Sequence, residues 1–195
     1  MKKTYVLDTN VLIQAPYAVE CFEENTVVLP MTVLEELDNM KKEEGEKGAN
    51  VRKVIRILDA HREKGNLLEG VRMEWGGILR VEKNYRNVEL PPDLPEHKSD
   101  NRILKVCVGL SNDLKEQVIL VTKDILLRIK AQLLGIQAED FGTEQVAVHE
   151  EQYLGRREVF VPEELFKEFK KKGVPVECVY CCDMSGNHTC PELFE

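Results

Sequence analysis

The chain has 195 residues, 43% of them hydrophobic and 32% charged, which suits one globular domain plus an extension. Its net charge of −8 argues against a protein that holds duplex DNA by charge alone, because phosphate neutralisation needs a basic face. No apolar stretch of membrane-spanning length occurs, and the N-terminal residues 1–4 run into a strand-like segment without a signal sequence. These features predict a cytoplasmic protein with no membrane partner.

Short apolar runs alternate with helical patterns along most of the chain. The runs predict strands at residues 5–7, 27–29, 118–121 and 135–138. Helical periodicity covers residues 31–44, 49–64, 99–111 and 124–134. Wholly apolar runs are typical of parallel strands buried on both faces, and their alternation with helices predicts an α/β fold.

Three further segments lack a repeating pattern. Residues 41–47 form a charge run that is typical of a solvated helix end, and residues 65–77 are consistent with a loop or hairpin. Residues 84–98 contain three prolines and predict a long irregular connection. Because long loops in compact domains are often functional and this one leads into Asp100, a substrate-facing role is one interpretation.

Four carboxylates lie where predicted strands end or helices begin: Asp8, Glu36, Asp100 and Asp124. In a doubly wound sheet such positions converge on one crevice. Two like charges 4 Å apart repel by roughly 4 kcal/mol at an effective dielectric constant near 20, so a crevice with four needs a compensating cation. Hard divalent ions such as Mg²⁺ and Mn²⁺ take oxygen ligands.

Asp8 and Asp124 each have a local alternative. Both could be helix N-caps, a position that aspartate favours. For Asp8 the alternative is weaker, because Asn10 could cap in its place and an ionised group at the end of a buried strand needs a partner. For Asp124 the N-cap explains the residue by itself.

Glu36 must be distinguished from its neighbour. Thr32 and Glu35 fit a capping box, which accounts for Glu35 locally. Glu36 shares the apolar stripe of Val33 and Met40 and should therefore point inward. A metal site would explain an inward carboxylate; a salt bridge to Lys or Arg is the alternative.

Asp100 follows Ser99, a plausible N-cap, and an acid in the first helical turn is favourable by itself. Its spacing from Ile103, Leu104 and Cys107 nevertheless places it on the apolar face of the helix. That face also predicts an inward orientation for Asp100.

The cysteines fall into two groups. Cys21 and Cys107 lie in apolar helical contexts and are expected to be reduced core residues. The C-terminal segment could hold a structural Zn²⁺ through four side chains, although free thiols in a reducing cytosol remain the alternative and disulfides are not expected there. The candidate ligands are Cys178, Cys181, His188 and Cys190.

Four segments carrying the acids resemble the PIN domain family, more narrowly the N-terminal PIN domain of PhoH-like proteins, where it precedes an ATPase module. They are residues 5–12, 33–38, 99–104 and 121–124, and the resemblance spans about residues 3–148. It implies a three-layer α/β/α fold with a central parallel sheet, and an RNA-cleaving site that depends on Mg²⁺ or Mn²⁺.

Residue by residue, the resemblance implies that the four acids are the catalytic metal ligands and that Asn10 and Thr122 are supporting polar residues. The basic residues nearest the site in sequence are candidates for substrate contacts: Arg102 and Lys123, with Arg128 and Lys130 close by.

The domain organisation predicted on this basis is a nuclease domain over residues 1–148 and an extension over 149–195. The extension would be a linker or the start of a following ATPase module, since no G-x-x-x-x-G-K-[ST] phosphate-binding loop occurs in these residues.

The leading functional hypothesis is a metal-dependent ribonuclease that hydrolyses single-stranded RNA. The alternative is a non-catalytic module that binds RNA or a partner and regulates an attached ATPase, and a homo-oligomer is also considered. A phosphotransfer domain of the receiver or haloacid dehalogenase type fits less well, because it would need a second acid near Asp8 where Asn10 stands.

Overall fold

The protein, described from a computed structural model, is defined for residues 2–85, 87–142, 181–182 and 188–189. The chain divides into two compact units, Met1–Ala147 and Val148–Glu195. The first unit contains the fold described next. Within the described residues, no helix is long and apolar enough to cross a membrane.

The first unit is built on a six-stranded sheet. Its strands are Lys3–Leu7 (β1), Thr26–Pro30 (β2), Val71–Arg72 (β3), Ile78–Glu82 (β4), Gln117–Val121 (β5) and Gln137–Glu139 (β6). Their spatial order is β3-β4-β2-β1-β5-β6, and every pair is parallel except β3 with β4. The predicted α/β fold with a central parallel sheet is confirmed.

Helices connect the parallel strands. They are Thr9–Gln14 (α1), Met31–Met40 (α2), Gly45–Lys64 (α3), Ser99–Asp113 (α4) and Ile125–Leu133 (α5), with a 3₁₀ turn at Pro16–Glu20. α1 packs on α3, whereas α4 packs on α2 and α5. This is the predicted three-layer α/β/α arrangement.

The core lies along the three adjacent strands β2, β1 and β5. After its first residue, each of these strands is buried at every position, which explains why their sequences are apolar without alternation. Leu7, at the end of β1, is fully buried and pairs in register with Val121 at the end of β5. The residues that follow these two strands therefore emerge side by side.

Residues 65–77 do begin a hairpin, but its second strand, β4, was not predicted. In β4 the buried Leu79 and Val81 alternate with Arg80 and Glu82, which form an ion pair 2.9 Å long. The alternation produces no continuous apolar run. The turn before β4 uses Gly76 at φ 89°, a backbone conformation that residues other than glycine rarely adopt.

Two predicted N-caps are wrong. α2 begins directly after Pro30, so Thr32 lies inside the helix, is fully buried, and its hydroxyl donates to Asn84 Oδ1 at 3.3 Å. The capping box with Glu35 therefore does not form, because the extended Pro30 already turns the chain from β2 into the helix. In α4, Ser99 is the first helical residue, and Lys98 occupies the N-cap position.

The proline-rich connection before α4 is attached to that helix. Asn101 Nδ2 donates to the carbonyl oxygen of Pro95 at 2.8 Å, and Lys105 pairs with Glu96. A Cβ on Gly109 would come within 2.2 Å of the Tyr85 ring, so glycine is required for this close approach. Whether the connection faces a substrate stays a prediction.

The thiol predictions are confirmed for Cys107, which is fully buried, while Cys21 is half-buried at the end of the 3₁₀ turn. Burial, reinforced by Glu20, raises the pKa of the Cys21 thiol to about 11. In the second unit, Cys181–Cys182 (β7) pairs antiparallel with His188–Thr189 (β8).

The predicted zinc site falls largely outside the described residues. Cys178 and Cys190 are not described, nor are the side chains of Cys181 and His188. Zinc binding by these residues stays a prediction.

Candidate active site

A cleft of about 330 Å³ opens beyond the carboxyl end of β1, beside α2 and α4. Three of the four predicted acids line it: Asp8, Glu36 and Asp100. The other lining residues are Thr9, Asn10, Ile13, Asn39, Met40 and Lys47. The fold thus brings together carboxylates that are far apart in sequence.

Asp8 is the most deeply buried of these acids, with 4% of its surface exposed. Its backbone N–H donates to Val121 O at 3.0 Å, which extends the β1–β5 pairing by one residue. Its carboxylate accepts from the Thr9 N–H at 2.7 Å and from the Thr122 hydroxyl at 2.7 Å. Asp8 is therefore the N-cap of α1, and Asn10, which was considered for this position, lies within the helix.

The environment of Asp8 favours its protonated form. Burial raises its pKa above the ordinary value, and the charges of Glu36 and Asp100 raise it further. The hydrogen bonds from Thr122 and from the Thr9 N–H act in the opposite direction. Burial is the largest of these effects, so the net pKa shift is upward.

Glu36 is half-buried in α2 and accepts a short hydrogen bond from the Thr9 hydroxyl. Met40, on the same side of α2, also lines the cleft, so the predicted inward face of this helix is confirmed. The neighbouring Glu35 is exposed and pairs with Arg102 at 2.9 Å. The salt bridge considered for Glu36 is made by Glu35 instead.

Asp100 is half-buried in the first turn of α4. Its Oδ2 accepts from Lys130 Nζ of α5 at 3.0 Å. No sequence pattern indicated this contact, although Lys130 was among the basic residues nearest the site. Within the described part of the chain, it is the only ion pair made by an acid of the cleft.

Asp124 is placed differently from the other three acids. It is the N-cap of α5 and accepts from the N–H groups of Leu126 at 2.7 Å and Leu127 at 3.3 Å. Its side chain is not among those that line the cleft. Its N–H donates to Thr122 Oγ1 at 3.0 Å, so one hydroxyl connects Asp124 to Asp8. A role for Asp124 as a metal ligand stays a prediction.

The basic residues predicted to support the site are engaged elsewhere. Arg102 pairs with Glu35, and Lys123 pairs with Asp140 at 3.1 Å. Lys47, in the charge run interpreted as a solvated helix end, lines the cleft instead. Its side chain is half-exposed and pairs with Glu43 at 3.1 Å. Sequence alone gave no reason to choose it among the many lysines nearby.

The donor set of the cleft suits a hard divalent cation, because its three acids offer carboxylate oxygens and their mutual repulsion needs a positive charge. Among the described residues, however, no three acid, His or Cys side chains are already arranged to hold one ion. Glu36 is bonded to Thr9 and Asp100 to Lys130. Both acids are only half-buried, so their side chains have room to reorient.

The PIN domain family matches residues 5–142, and the chain belongs to this family. PIN domains are generally nucleases and generally use divalent metal ions. Within the family, the chain is similar to proteins named PhoH2. It is 46% identical to Protein PhoH2 of Bacillus subtilis over 178 residues, which cover 88% of this chain and 40% of that protein.

A second relative, Protein PhoH2 of Mycolicibacterium smegmatis, is 39% identical over 149 residues, or 75% of this chain and 34% of that protein. Among solved structures, a PilT N-terminus domain protein of Sulfolobus solfataricus is similar at 12% identity and a TM-score of 0.45, covering 79% of this chain and 99% of that one. The chain thus spans less than half the length of these curated relatives.

Proposed function

We propose that this protein is a metal-dependent endoribonuclease that hydrolyses phosphodiester bonds of single-stranded RNA. The observation that carries the proposal is the convergence of Asp8, Glu36 and Asp100 on one cleft, with the buried Asp8 fixed at the end of a central strand. Three acids with one ion pair among them, that of Asp100 with Lys130, still repel one another, which gives a reason to expect a cation there.

The oxygens of Asp8, Glu36 and Asp100 would hold Mg²⁺ or Mn²⁺. When bound, such an ion lowers the pKa of a water molecule and stabilises developing negative charge on a phosphoryl group. One oxygen of Glu36 accepts from Thr9 and one oxygen of Asp100 from Lys130, so these two oxygens would have to exchange their present partners for the ion. Asp124 would contribute by capping α5 and by holding Thr122, which orients Asp8.

The rest of the cleft supports RNA as the substrate. Lys47 places a positive charge at the rim, where it could contact a phosphate of the strand. Asn10 and Asn39 add exposed amides that can hydrogen-bond to base edges. A strand whose bases are splayed fits an open cleft better than a rigid duplex does. A cytoplasmic location and an attached ATPase module are part of the same proposal.

Cleavage of a labelled single-stranded RNA tests the proposal. The assay compares wild type with Asp8→Asn in the presence of Mn²⁺ and in the presence of a chelator. Asp8→Asn should lower the rate by on the order of 100-fold or more, because it removes a negative charge and one oxygen donor. The matched control is Asp59→Asn, the same change at an exposed acid of α3, which should keep the wild-type rate. Equal cleavage by wild type and Asp8→Asn would refute the proposal.

A second candidate is a non-catalytic module that binds RNA or a partner and regulates an attached ATPase. Its support is the absence, among the described side chains, of a group already arranged to hold an ion. Calorimetry distinguishes the two candidates. RNA binding without any Mn²⁺ binding would favour the second, and Mn²⁺ binding that Asp8→Asn abolishes would favour the nuclease.

A further inference from the structure

Lys130 holds a carboxylate that faces the cleft. Its Nζ lies 3.0 Å from Asp100 Oδ2, and this contact joins α5 to the first turn of α4. The Lys130 side chain is 27% exposed, so its amine is partly shielded from water. One of the oxygens proposed to bind metal is therefore already paired with a positively charged amine.

The position of Lys130 follows from the way α5 packs. The helix buries Leu127 and Ala131 against the core, while Ile125 and Ile129 are exposed on its outer side. Lys130 precedes Ala131 and lies one turn after Leu127, which places it at the inner margin of the helix. The packing of α5 on α4 thus carries the amine toward Asp100.

A half-exposed ion pair of this kind ordinarily contributes little to stability. The Lys130–Asp100 pair differs because the charge of Asp100 also acts on the buried Asp8. The charges of Asp100 and Glu36 both act unfavourably on the buried Asp8. Within the described residues, the partner of Glu36 is the Thr9 hydroxyl, which carries no positive charge. Lys130 therefore supplies the positive charge that offsets this repulsion when no ion is bound.

We propose that Lys130 is the resident counter-cation of the cleft, which occupies Asp100 in the metal-free protein and competes with the divalent ion for that carboxylate. The inference rests on the proposed function, since it assumes that an ion binds Asp100. It makes Lys130 a positioning residue that sets metal affinity. Because like charges compete for one ligand, removal of the amine should tighten metal binding and destabilise the metal-free protein.

The test is calorimetric titration of Mn²⁺ into wild type, Lys130→Gln and Lys130→Arg. Lys130→Gln should bind Mn²⁺ roughly threefold to tenfold more tightly, as expected for loss of one charge a few ångströms from the ion. Lys130→Arg retains the charge and should stay close to wild type. A thermal melt without metal should show Lys130→Gln below wild type, and saturating Mn²⁺ should reduce the difference.

Lys64→Gln is the matched control. Lys64 pairs with Glu74 at 3.4 Å, its side chain is 49% exposed, and neither residue lines the cleft. Its Mn²⁺ affinity should remain within about twofold of wild type, since neither residue of this ion pair is a proposed metal ligand or substrate contact.

The outcomes separate this inference from the proposed function. If wild type binds Mn²⁺ and Lys130→Gln binds it equally or more weakly, Lys130 is not a competitor, and only this inference fails. A weaker affinity in Lys130→Gln would mean that the amine orients Asp100 for binding. If wild type binds neither Mn²⁺ nor Mg²⁺, both the inference and the proposed nuclease are overturned.

Discussion

The ends of β1 and β5 lie side by side, and each is followed by an aspartate that caps a helix. Asp124 accepts two N–H groups of α5 and lies outside the cleft. Asp8 accepts one N–H group of α1, but it is almost fully buried and faces the charges of Glu36 and Asp100. The two aspartates therefore have the same capping role, but keeping the carboxylate ionised is unfavourable for the buried Asp8. Only Asp8 needs an explanation beyond capping, and a bound cation provides one.

The largest expected effect on stability comes from the hydroxyl that joins the two ends. Thr122 donates to Asp8 and accepts from the Asp124 N–H, and it is fully buried. Thr122→Val leaves both groups without this partner and should lower the free energy of unfolding by about 1–3 kcal/mol in denaturant titration. It should also raise the pKa of Asp8, because the Thr122 bond lowers that pKa. Wild-type stability in Thr122→Val would show that the two ends are not coupled.

A smaller effect is expected at the β5 end. Asp124→Ala removes the cap of α5 and should lower the free energy of unfolding by about 1 kcal/mol, whereas Asp124→Asn retains a good capping residue and should change it by a few tenths. Thermal melts of both variants measure this difference. If Asp124→Asn abolished Mn²⁺ binding while leaving stability unchanged, Asp124 would be a metal ligand, and the contrast between the two ends would fail.

The smallest expected effect has the opposite sign. Asp8→Asn removes a charge that burial disfavours, so the metal-free variant should be slightly more stable than wild type at neutral pH. The pKa of Asp8 is higher in the folded protein than in the unfolded protein. Above the ordinary pKa of about 4, the unfolded protein has therefore lost a proton that the folded protein still holds.

The stability of wild type should therefore fall relative to Asp8→Asn as the pH is raised from about 4 through the folded pKa of Asp8. Chemical denaturation at a series of pH values, with a chelator present, measures this relation. A stability difference that does not change with pH would show that Asp8 is not strained by its burial.

The sequence predicted those parts of the fold that depend on continuous patterns. The apolar runs of β1, β2 and β5 define strands buried on both faces, and the parallel order follows from the helices between them. β4 was missed because Arg80 and Glu82 interrupt its apolar residues and satisfy each other across the strand surface. The cap of α2 was mistaken because Pro30 performs the turn that Thr32 was expected to make.

The site was predictable to the same extent. The inward orientations of Glu36 and Asp100 follow from helical spacing, which is a local property. The hydrogen-bond partners of these acids could not be predicted in this way. The contacts of Thr9 with Glu36 and of Lys130 with Asp100 join distant segments of the chain, and they depend on how the helices pack. Arg102 and Lys123 were candidates for substrate contacts because they lie near the acids in sequence. In the structure, Arg102 forms an ion pair with Glu35 and Lys123 forms one with Asp140.

A crystal structure of the protein with Mn²⁺, located by its anomalous scattering, tests the central claim most directly. We expect an ion in the cleft, with oxygens of Asp8 and Asp100 within about 2.5 Å of it and Glu36 turned from Thr9 toward the ion or its water ligands. Lys130 should then lie away from Asp100. A cleft without an ion at saturating Mn²⁺, or an ion bound to Asp124 and not to Asp100, would contradict it.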